Sequence, residues 1–456
     1  MYSQWMALQR NTLRRVALYA GLGFLFLRVS FVHEVIQYLT GVNSHLMYLF
    51  GPLAIFGALV TQAVSRTFSW RPGLYWLGFA VWMVAAIPTS SWVGGSLTVV
   101  ISYLRTVFPL LLVVGGLAMT WRECRLMIAT MGVAALVNVV CGRIFTSQGD
   151  ARLELAFAGS IGNSNDFAAH LLFVLPILLI VVMGPNRSIL LRFGALAAVG
   201  YGGYLIVATA SRGALVGVAA AVICWMVLGT RNQRIALLFA LPIAASLIVF
   251  DSNGFTLKRI TSFRISEDSS REALASRLTR EYLLRQSIRL TLQHPLFGVG
   301  PDQFINAEGK TGRTEGKRSV WQATHNSFTQ ISSECGVPAL LFYLLAIGST
   351  FRLLYRLLKT ARRKGHNEIA TIAFCSLISL TGYCVASVFL SLGYSFYLLV
   401  MTGLAISLSR IAPLEWERMK KPAIEARRGG LTGKNGQKRA VEEPLYSSRA
   451  TRPRLR

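Results

Sequence analysis

Long apolar segments, separated by short segments rich in arginine and lysine, constrain the fold of this chain more than any other feature. A helix needs about 20 predominantly apolar residues to cross the hydrocarbon core of a bilayer. Such segments recur along the 456 residues, of which 53% are hydrophobic and only 15% are charged. A soluble chain carries about 25% charged residues. We therefore predict an all-α polytopic membrane protein.

The apolar segments predict about twelve transmembrane helices. The predicted spans are 16–33, 46–64, 73–89, 97–119, 126–145, 166–183, 189–208, 212–229, 234–250, 336–354, 369–388 and 394–409. They divide the chain into a part with nine helices, a large loop, a part with three helices and a basic tail, which are residues 1–250, 251–335, 336–409 and 410–456. The tail has little apolar content, and we predict that it is disordered.

The distribution of positive charge between the spans predicts the orientation. Cytoplasmic segments of membrane proteins carry an excess of Lys and Arg. With the N-terminus in the cytoplasm, the segments on that side contain 17 Lys and Arg, whereas the short loops opposite contain only Arg143, Arg152 and Arg212. We therefore predict an inner-membrane protein with both termini in the cytoplasm and a periplasmic large loop. The net charge of +27 follows this pattern, so no nucleic-acid partner is expected.

The positions of acidic residues and cysteines restrict the chemistry. All 20 Asp and Glu lie in loops, in the tail or at the ends of spans, whereas coupled transporters usually keep ionisable residues inside the membrane. Arg28 and Arg105 do lie within spans, and each is either a site residue or an arginine that reaches toward the surface. The six cysteines form no CxxC or Cys/His pattern. We expect no metal site and no cofactor.

Residues 271–292 have the periodicity of an amphipathic helix within the large loop. At about 100° per residue, one stripe contains Leu274, Leu278, Leu284, Ile288 and Leu292. Arg277 and Arg285 project within this stripe, and Arg280 lies at its edge. Arginines on a buried or membrane-facing stripe need an anionic partner, such as a lipid-linked phosphate. The alternative is a helix that lies on the membrane with its arginines among the headgroups.

Two further positions are suited to chemistry. Arg212, at the start of a span, either aims its guanidinium at a phosphate or anchors the helix end at the interface. His325 follows a polar run over 308–318, which we predict to be mobile, and precedes an apolar span. An imidazole that titrates near neutral pH can take a proton from a hydroxyl group. A structural histidine at the foot of the span fits the spacing equally well.

Four sequence elements, in this order, resemble the O-antigen ligase and O-antigen polymerase family. They are 162–165, 211–213, 280–287 leading to 294–301, and 325–330 followed by 334–336. The first is similar to the family form GNPN, and the others are similar to SRGA, HPLFGVGPG and HNxxLQxxxExG. The chain departs from these forms at Phe328, Thr329 and Asp302, the last of which stands where glycine is usual. The resemblance is specific over about 160–350.

The resemblance implies a GT-C-like polytopic transferase that uses an undecaprenyl-diphosphate-linked glycan outside the inner membrane. It assigns Arg212 and Arg280 to the diphosphate, and His325 to the base that activates the acceptor hydroxyl. This chemistry requires no metal, because the donor sugar is already activated by its diphosphate and arginines can stabilise the charge that grows on the leaving oxygen.

Three more residues are candidates for binding the diphosphate or the acceptor. They are Arg277, Arg289 and Asn326. Arg289 and Gly300 also fit an Arg-x10-Gly pattern described for polymerases. The implied partners are an undecaprenyl-diphosphate-linked oligosaccharide, a glycan or lipid-A-core acceptor, and membrane lipids.

The sequence leaves several alternatives open. A polymerase would transfer the glycan to another repeat unit and a ligase would transfer it to a lipid-A core, and the residues do not distinguish the two. A flippase for lipid-linked glycans would be expected to line a cavity within the spans with charged residues. A protein O-oligosaccharyltransferase and a scaffold for an envelope complex are further alternatives, although a scaffold leaves His325 and the arginines unexplained.

Overall fold

A computed structural model describes residues 12–148, 153–156, 159–161, 163–185, 187–249, 267–314 and 320–436. The helices before residue 250 are α1 (Thr12–Ser30), α2 (Val32–Thr40), α3 (Leu46–Val60), α4 (Ala63–Phe68), α5 (Arg71–Ala85), α6 (Val93–Ser102), α7 (Phe108–Gly116), α8 (Trp121–Ile144), α9 (Ser164–Met183), α10 (Ile189–Ala208), α11 (Arg212–Leu228) and α12 (Arg231–Val249). The helices after residue 266 are α13 (Glu267–Gln293), α14 (Phe304–Thr314), α15 (Ser327–Arg363), α16 (Asn367–Ala386) and α17 (Tyr397–Gly436).

Seven helical segments of the described residues are long and apolar enough to cross a membrane. They are Val93–Gly116, Trp121–Ile144, Ser164–Met183, Ile189–Ala208, Ser327–Arg363, Asn367–Phe389 and Tyr397–Arg418. Helices α1 and α2 are bent by 67° relative to each other, and if this pair is counted as one span, the described residues contain eight candidate spans. Helices α3 and α11 are apolar but shorter. The chain is thus a multi-pass helical membrane protein. Each of the twelve predicted spans overlaps a helix, but the count of twelve remains a prediction.

The helical fold class is confirmed. The described residues add one short hairpin that was not predicted, in which Thr146–Gln148 (β1) pairs antiparallel with Leu153–Leu155 (β2). The chain divides into compact units over 1–409 and 410–456. Helix α17 ends at Gly436, and the disorder of the tail stays a prediction.

Local sequence explains several helix boundaries. Thr120 and Glu123 form a reciprocal capping box at the start of α8, which satisfies two backbone N–H groups that the helix leaves without partners. The apolar segment between α6 and α7 contains a π-helical turn, Tyr103–Val107. Pro109 follows this turn, and a proline has no N–H to donate to the carbonyl four residues earlier. A π-helical turn before Pro109 is therefore expected, because it changes the hydrogen-bond pattern where the proline lacks a donor.

The segments that the charge pattern assigns to the cytoplasm are joined by contacts at one end of the helices. Arg14 is buried and donates hydrogen bonds to the Glu123 carboxylate at 2.8 Å and to the Leu117 carbonyl at 3.0 Å. Arg125 donates to both carboxylate oxygens of Glu368, at 2.7 and 2.6 Å. The predicted outer segments meet at the opposite end, where the candidate site lies.

Helix α15 is interrupted at Gly336, which is also where the predicted tenth span begins. Its dihedral angles, φ 84° and ψ 172°, lie in a region that is accessible almost only to glycine. A Cβ atom at this position would lie 2.1 Å from the carbonyl oxygen of Leu296. The break therefore admits the loop that follows α13, and the Val337 N–H donates to the Pro295 carbonyl at 2.8 Å.

Candidate active site

The loop over 387–396, which connects α16 and α17, holds the first turn of α15 in place. The Ser327 hydroxyl donates a 2.7 Å hydrogen bond to the Leu390 carbonyl. The side-chain oxygen of Gln330 accepts one of 3.0 Å from the Gly393 N–H. These two contacts explain why polar residues follow His325 at the start of an otherwise apolar helix.

His325 is fixed through its backbone. Its N–H donates to the Ser391 hydroxyl at 2.8 Å, and its φ of 51° places it in the left-handed region, where histidine is more common than most residues. The side-chain oxygen of Asn326 accepts from the N–H groups of Phe328 and Thr329, at 2.9 and 3.1 Å. Asn326, a predicted substrate-binding residue, is thus the N-cap of α15.

The His325 imidazole lies close enough to Arg280 to feel its charge. Burial, and secondly the Arg280 guanidinium, lower the pKa of His325 from its usual value of 6.5. Among the described residues, none hydrogen-bonds to either of its ring nitrogens. A neutral imidazole with an accessible ring nitrogen can accept a proton from a bound hydroxyl group. The structure therefore places Arg280 within electrostatic range of His325.

Arg212 lies at the same loop. It is the first residue of α11, whose N-cap Ser211 accepts a 3.4 Å hydrogen bond from the Ala214 N–H. The next residue, Gly213, packs against Phe389 so closely that a Cβ atom would lie 2.7 Å from the Phe389 Cβ. The glycine of this element thus allows α11 to approach the 387–396 loop, which positions both the exposed Arg212 and His325.

Helix α13 packs against the protein through the face opposite to the predicted leucine stripe, which leaves that stripe free to face the membrane. Leu283 and Leu290 are buried in a cluster with Val299 and Phe304. The predicted stripe is exposed at Leu278, Leu284, Ile288 and Leu292, so it is not buried within the protein. Leu283 and Leu290 are seven residues apart and therefore lie on the same side of the helix. This side is buried because it packs against Val299 and Phe304 in the segment that follows α13.

The other predicted residues of α13 have different positions. Arg277 lies in the helix, but its side chain is outside the described part of the structure. Arg289 is exposed and follows Arg280 by nine residues, which at about 100° per residue turns it to the opposite face of the helix. The structure therefore does not bring Arg289 together with Arg280. Arg285 forms an exposed ion pair with Glu281 at 2.6 Å.

Glu334, which the sequence analysis placed in the fourth family element without a role, connects three parts of the site. Its buried carboxylate accepts hydrogen bonds from the Asp302 N–H at 3.0 Å, the Phe304 N–H at 3.4 Å and the Tyr394 hydroxyl at 2.7 Å. It thereby gives hydrogen-bond partners to two backbone N–H groups at the N-terminus of α14, where the helix itself supplies none. Asp302 has a φ of 58°, which explains why glycine is usual at this position of the family form.

Glu308, in α14, is a second carboxylate to which the sequence analysis gave no role. It is buried and accepts hydrogen bonds from the Val320 and Trp321 N–H groups at 3.1 and 2.9 Å, and from the Tyr282 hydroxyl at 3.1 Å. The prediction of a mobile run over 308–318 is wrong up to residue 314, because α14 is capped by Glu334 and anchored by Glu308. Residues 315–319, including Arg318, lie outside the described residues.

The element at 162–165 is a helix cap. Gly162 lies outside the described residues, and the Asn163 side-chain oxygen accepts hydrogen bonds from the Asn165 and Asp166 N–H groups at 2.9 and 3.0 Å. This is the arrangement of an N-cap, and it begins α9. The geometry of the element is accounted for by this capping.

The two arginines within predicted spans lie near this end. The Arg28 guanidinium carbon is 5.2 Å from the centroid of Phe396, and one guanidinium nitrogen is 3.5 Å from the Ser160 hydroxyl. Arg105, in the π-helical turn, lines a cavity of about 670 Å³ and lies 6.0 Å from the ring of Tyr48. Arg28 therefore contacts the 387–396 loop and does more than reach toward the surface.

Comparison with known protein families identifies the central part of the chain. A family model described as O-antigen ligase matches residues 197–344. The chain carries an O-antigen ligase domain. This segment contains every predicted site residue, which are Arg212, Arg277, Arg280, Arg289, His325 and Asn326. A comparison with curated protein sequences found no match.

The O-antigen ligase domain ends before the 387–396 loop begins. The loop nevertheless supplies Ser391 and Phe389 to the residues that hold His325 and Arg212. The site is therefore assembled from the matched segment and from a C-terminal segment outside it.

Proposed function

We propose that this protein transfers an undecaprenyl-diphosphate-linked glycan to a hydroxyl acceptor on the periplasmic side of the inner membrane, as a polysaccharide polymerase or an O-antigen ligase. The observation that carries the proposal is the proximity of His325 and Arg280 within an O-antigen ligase domain. A base beside an arginine suits a reaction in which one oxygen loses a proton while another gains negative charge.

His325 is the proposed base. A ring nitrogen takes the proton of the acceptor hydroxyl while that oxygen forms a bond to the anomeric carbon of the donor sugar. The low pKa of His325 keeps the imidazole neutral, and thus able to accept the proton, at neutral pH. The backbone N–H contact with Ser391 fixes the main chain at His325, and no described residue hydrogen-bonds to the ring nitrogens.

Arg212 and Arg280 are the proposed diphosphate ligands. As the bond between the anomeric carbon and the diphosphate breaks, the leaving undecaprenyl diphosphate keeps the electron pair on its oxygen. Planar guanidinium groups match the geometry of phosphate oxygens and donate two hydrogen bonds each. Stabilising this charge is the main task that the protein must perform, so we propose that the reaction is independent of metal ions.

The direct test is glycan transfer by the purified protein. The full-length chain is mixed with an undecaprenyl-diphosphate-linked oligosaccharide and a candidate acceptor, with and without EDTA. Formation of the extended glycan and of undecaprenyl diphosphate in both conditions is the expected result. If EDTA stops the transfer of the glycan, the reaction depends on a metal ion and metal independence is contradicted. If the protein transfers the glycan to neither a glycan acceptor nor a lipid-A-core acceptor, the proposed function is contradicted.

Analysis of surface glycans in a deletion strain distinguishes the two forms of the activity. A polymerase predicts that long chains are lost while one repeat unit remains attached. A ligase predicts that the lipid-A core is left bare. Unchanged surface glycans and secreted polysaccharide would exclude both.

The proposed sidedness has its own test, because catalysis outside the membrane requires the large loop to be periplasmic. Single cysteines near positions 92 and 310 should react with an impermeant reagent in intact cells. Cysteines near positions 68 and 232 should react only after permeabilisation. Labelling in the reverse pattern would place His325 on the cytoplasmic side.

A further inference from the structure

An arginine-lined cleft lies at the end of the helices opposite to His325. It has a volume of about 650 Å³ and is bordered by Arg192, Arg231 and Arg362. This volume lies within the range of small-ligand sites, about 300–1,000 Å³. The end of α9 and the beginnings of α12 and α16 form its walls, at Met183, Arg231 and Asn367.

The cleft has positive charge without an acidic counterpart in its lining. No Asp or Glu is among the described residues that border it. The nearest carboxylate along the chain, Glu368, forms its hydrogen bonds with Arg125 and Trp121. Three arginines around one cavity repel each other unless an anion lies between them.

Arg192 has a hydrogen-bond donor available for an anion, and Arg362 lies over the ring of Phe374 at 5.9 Å. Half-buried Arg192 uses one guanidinium nitrogen to donate to the Gly184 carbonyl at 2.9 Å, while its buried Nε atom has no hydrogen-bond partner among the described residues. Helices α12 and α16 both begin at the cleft. The partial positive charge of a helix N-terminus adds to that of the arginines and favours phosphate.

We propose that this cleft binds the phosphate group of an anionic phospholipid. The lipid source is favoured by position, because the cleft lies where the apolar helix α9 ends at Met183 and where apolar Ala370 joins the lining. The ends of membrane-spanning helices lie at the level of the headgroups in a bilayer. Basic pockets between transmembrane helices at a membrane face are suited to such headgroups. The site does not involve His325 or the proposed transfer reaction.

The test compares lipid binding by the purified full-length protein and by two double variants. Arg192→Gln/Arg362→Gln removes two charges from the cleft. Arg122→Gln/Arg356→Gln removes two arginines from the predicted cytoplasmic segments that do not border the cleft. Native mass spectrometry then measures binding of cardiolipin, phosphatidylglycerol, phosphatidylcholine and soluble inorganic phosphate. All three proteins must first elute at the same volume in size-exclusion chromatography.

The proposal expects cardiolipin and phosphatidylglycerol to bind in preference to phosphatidylcholine. The cleft variant should bind them roughly 30-fold more weakly, given the usual contribution of two cationic side chains near a headgroup. The control variant should bind like the wild type. Equal losses in both variants would overturn the proposal, since they would indicate a general effect of net charge. Binding of inorganic phosphate without any preference for anionic lipids would overturn the assignment to a lipid. If the cleft variant fails to fold, Arg192→Lys/Arg362→Lys takes its place. This variant keeps both charges but loses the planar guanidinium groups, so it should lose part of the preference for anionic lipids over phosphatidylcholine.

Discussion

The backbone N–H of His325 donates a 2.8 Å hydrogen bond to the hydroxyl of Ser391, a residue that belongs to none of the four family elements. The proposed base is therefore positioned from outside the O-antigen ligase domain. Replacing Ser391 by alanine leaves this N–H without its acceptor and allows the left-handed turn at His325 to relax.

Ser391→Ala should lower glycan transfer by roughly tenfold, the effect of about 1.4 kcal/mol, because an unsatisfied buried donor costs about 1–3 kcal/mol. Transfer at equal protein abundance in membranes is the measurement. Ser391→Thr, which keeps the hydroxyl, should retain most activity. Ser349→Ala is the control, since that hydroxyl bonds only within its own helix. Equal activity of Ser391→Ala and Ser349→Ala would show that the contact has no role in positioning.

His325→Ala should abolish transfer while the protein still inserts and accumulates. Loss of a general base typically costs about 10²–10⁴-fold in rate. The measurement is transfer from purified donor, with His45→Ala as the control, because His45 is an exposed histidine. Near-normal turnover by His325→Ala would remove the imidazole from the mechanism and leave it a structural role.

The pH dependence of transfer should report the environment of His325. Its pKa is lowered by burial and by Arg280, and the base works only when neutral. Activity should therefore be retained at neutral pH and fall as pH decreases, with a midpoint below the usual 6.5. Arg280→Gln removes a positive charge that disfavours the imidazolium, so the remaining activity should fall at a higher pH. A midpoint that does not move, or that moves lower, would contradict the proximity of the two groups.

Arg212→Lys and Arg280→Lys should each lose transfer activity by roughly tenfold or more, about 1.4 kcal/mol for each decade. Lysine keeps the charge but replaces the planar fork by a single point donor. Arg285→Lys on the same helix is the matched control, because Arg285 is exposed and paired with Glu281, and Arg318→Lys is a second control in the polar run. If the variants at 212 and 280 behave like the controls, these arginines anchor the protein and do not bind diphosphate.

Two backbone positions around Glu334 should respond in opposite ways. Gly336→Ala places a Cβ atom against the Leu296 carbonyl in a conformation reserved for glycine, at a cost on the order of 3 kcal/mol or more. Its abundance and activity should both fall. Asp302→Gly should be tolerated, because glycine adopts the φ of 58° without strain. Both are measured by membrane abundance and transfer. Loss of activity in Asp302→Gly at normal abundance would assign the Asp302 carboxylate a role beyond the turn.

The elements with strong local signals were predictable from the sequence. The spans over 189–208 and 166–183 agree with α10 and α9 to within two residues, because apolar content and N-capping both mark them. Arg280 and His325 were predicted together only through the family resemblance. The turn after α13 depends on Gly298, which has a φ of 67° and lies against the Glu334 backbone, and on the close approach of Leu296 to Gly336. The contacts of Ser391 were not predictable, because a serine in an apolar segment gives no signal of its partner. Glu308 and Glu334 resemble ordinary loop carboxylates until their buried hydrogen bonds are seen.

The 387–396 loop also sets the time during synthesis at which the site can form. His325 is synthesised well before Ser391. A nascent chain therefore contains the proposed base before the residues of the 387–396 loop have been translated. A chain that stops before residue 387 contains the entire O-antigen ligase domain but lacks the groups that hold His325 and pack against Gly213. The proposed site is thus complete only after the last helices are inserted, and premature termination yields a chain with every family element but without these contacts.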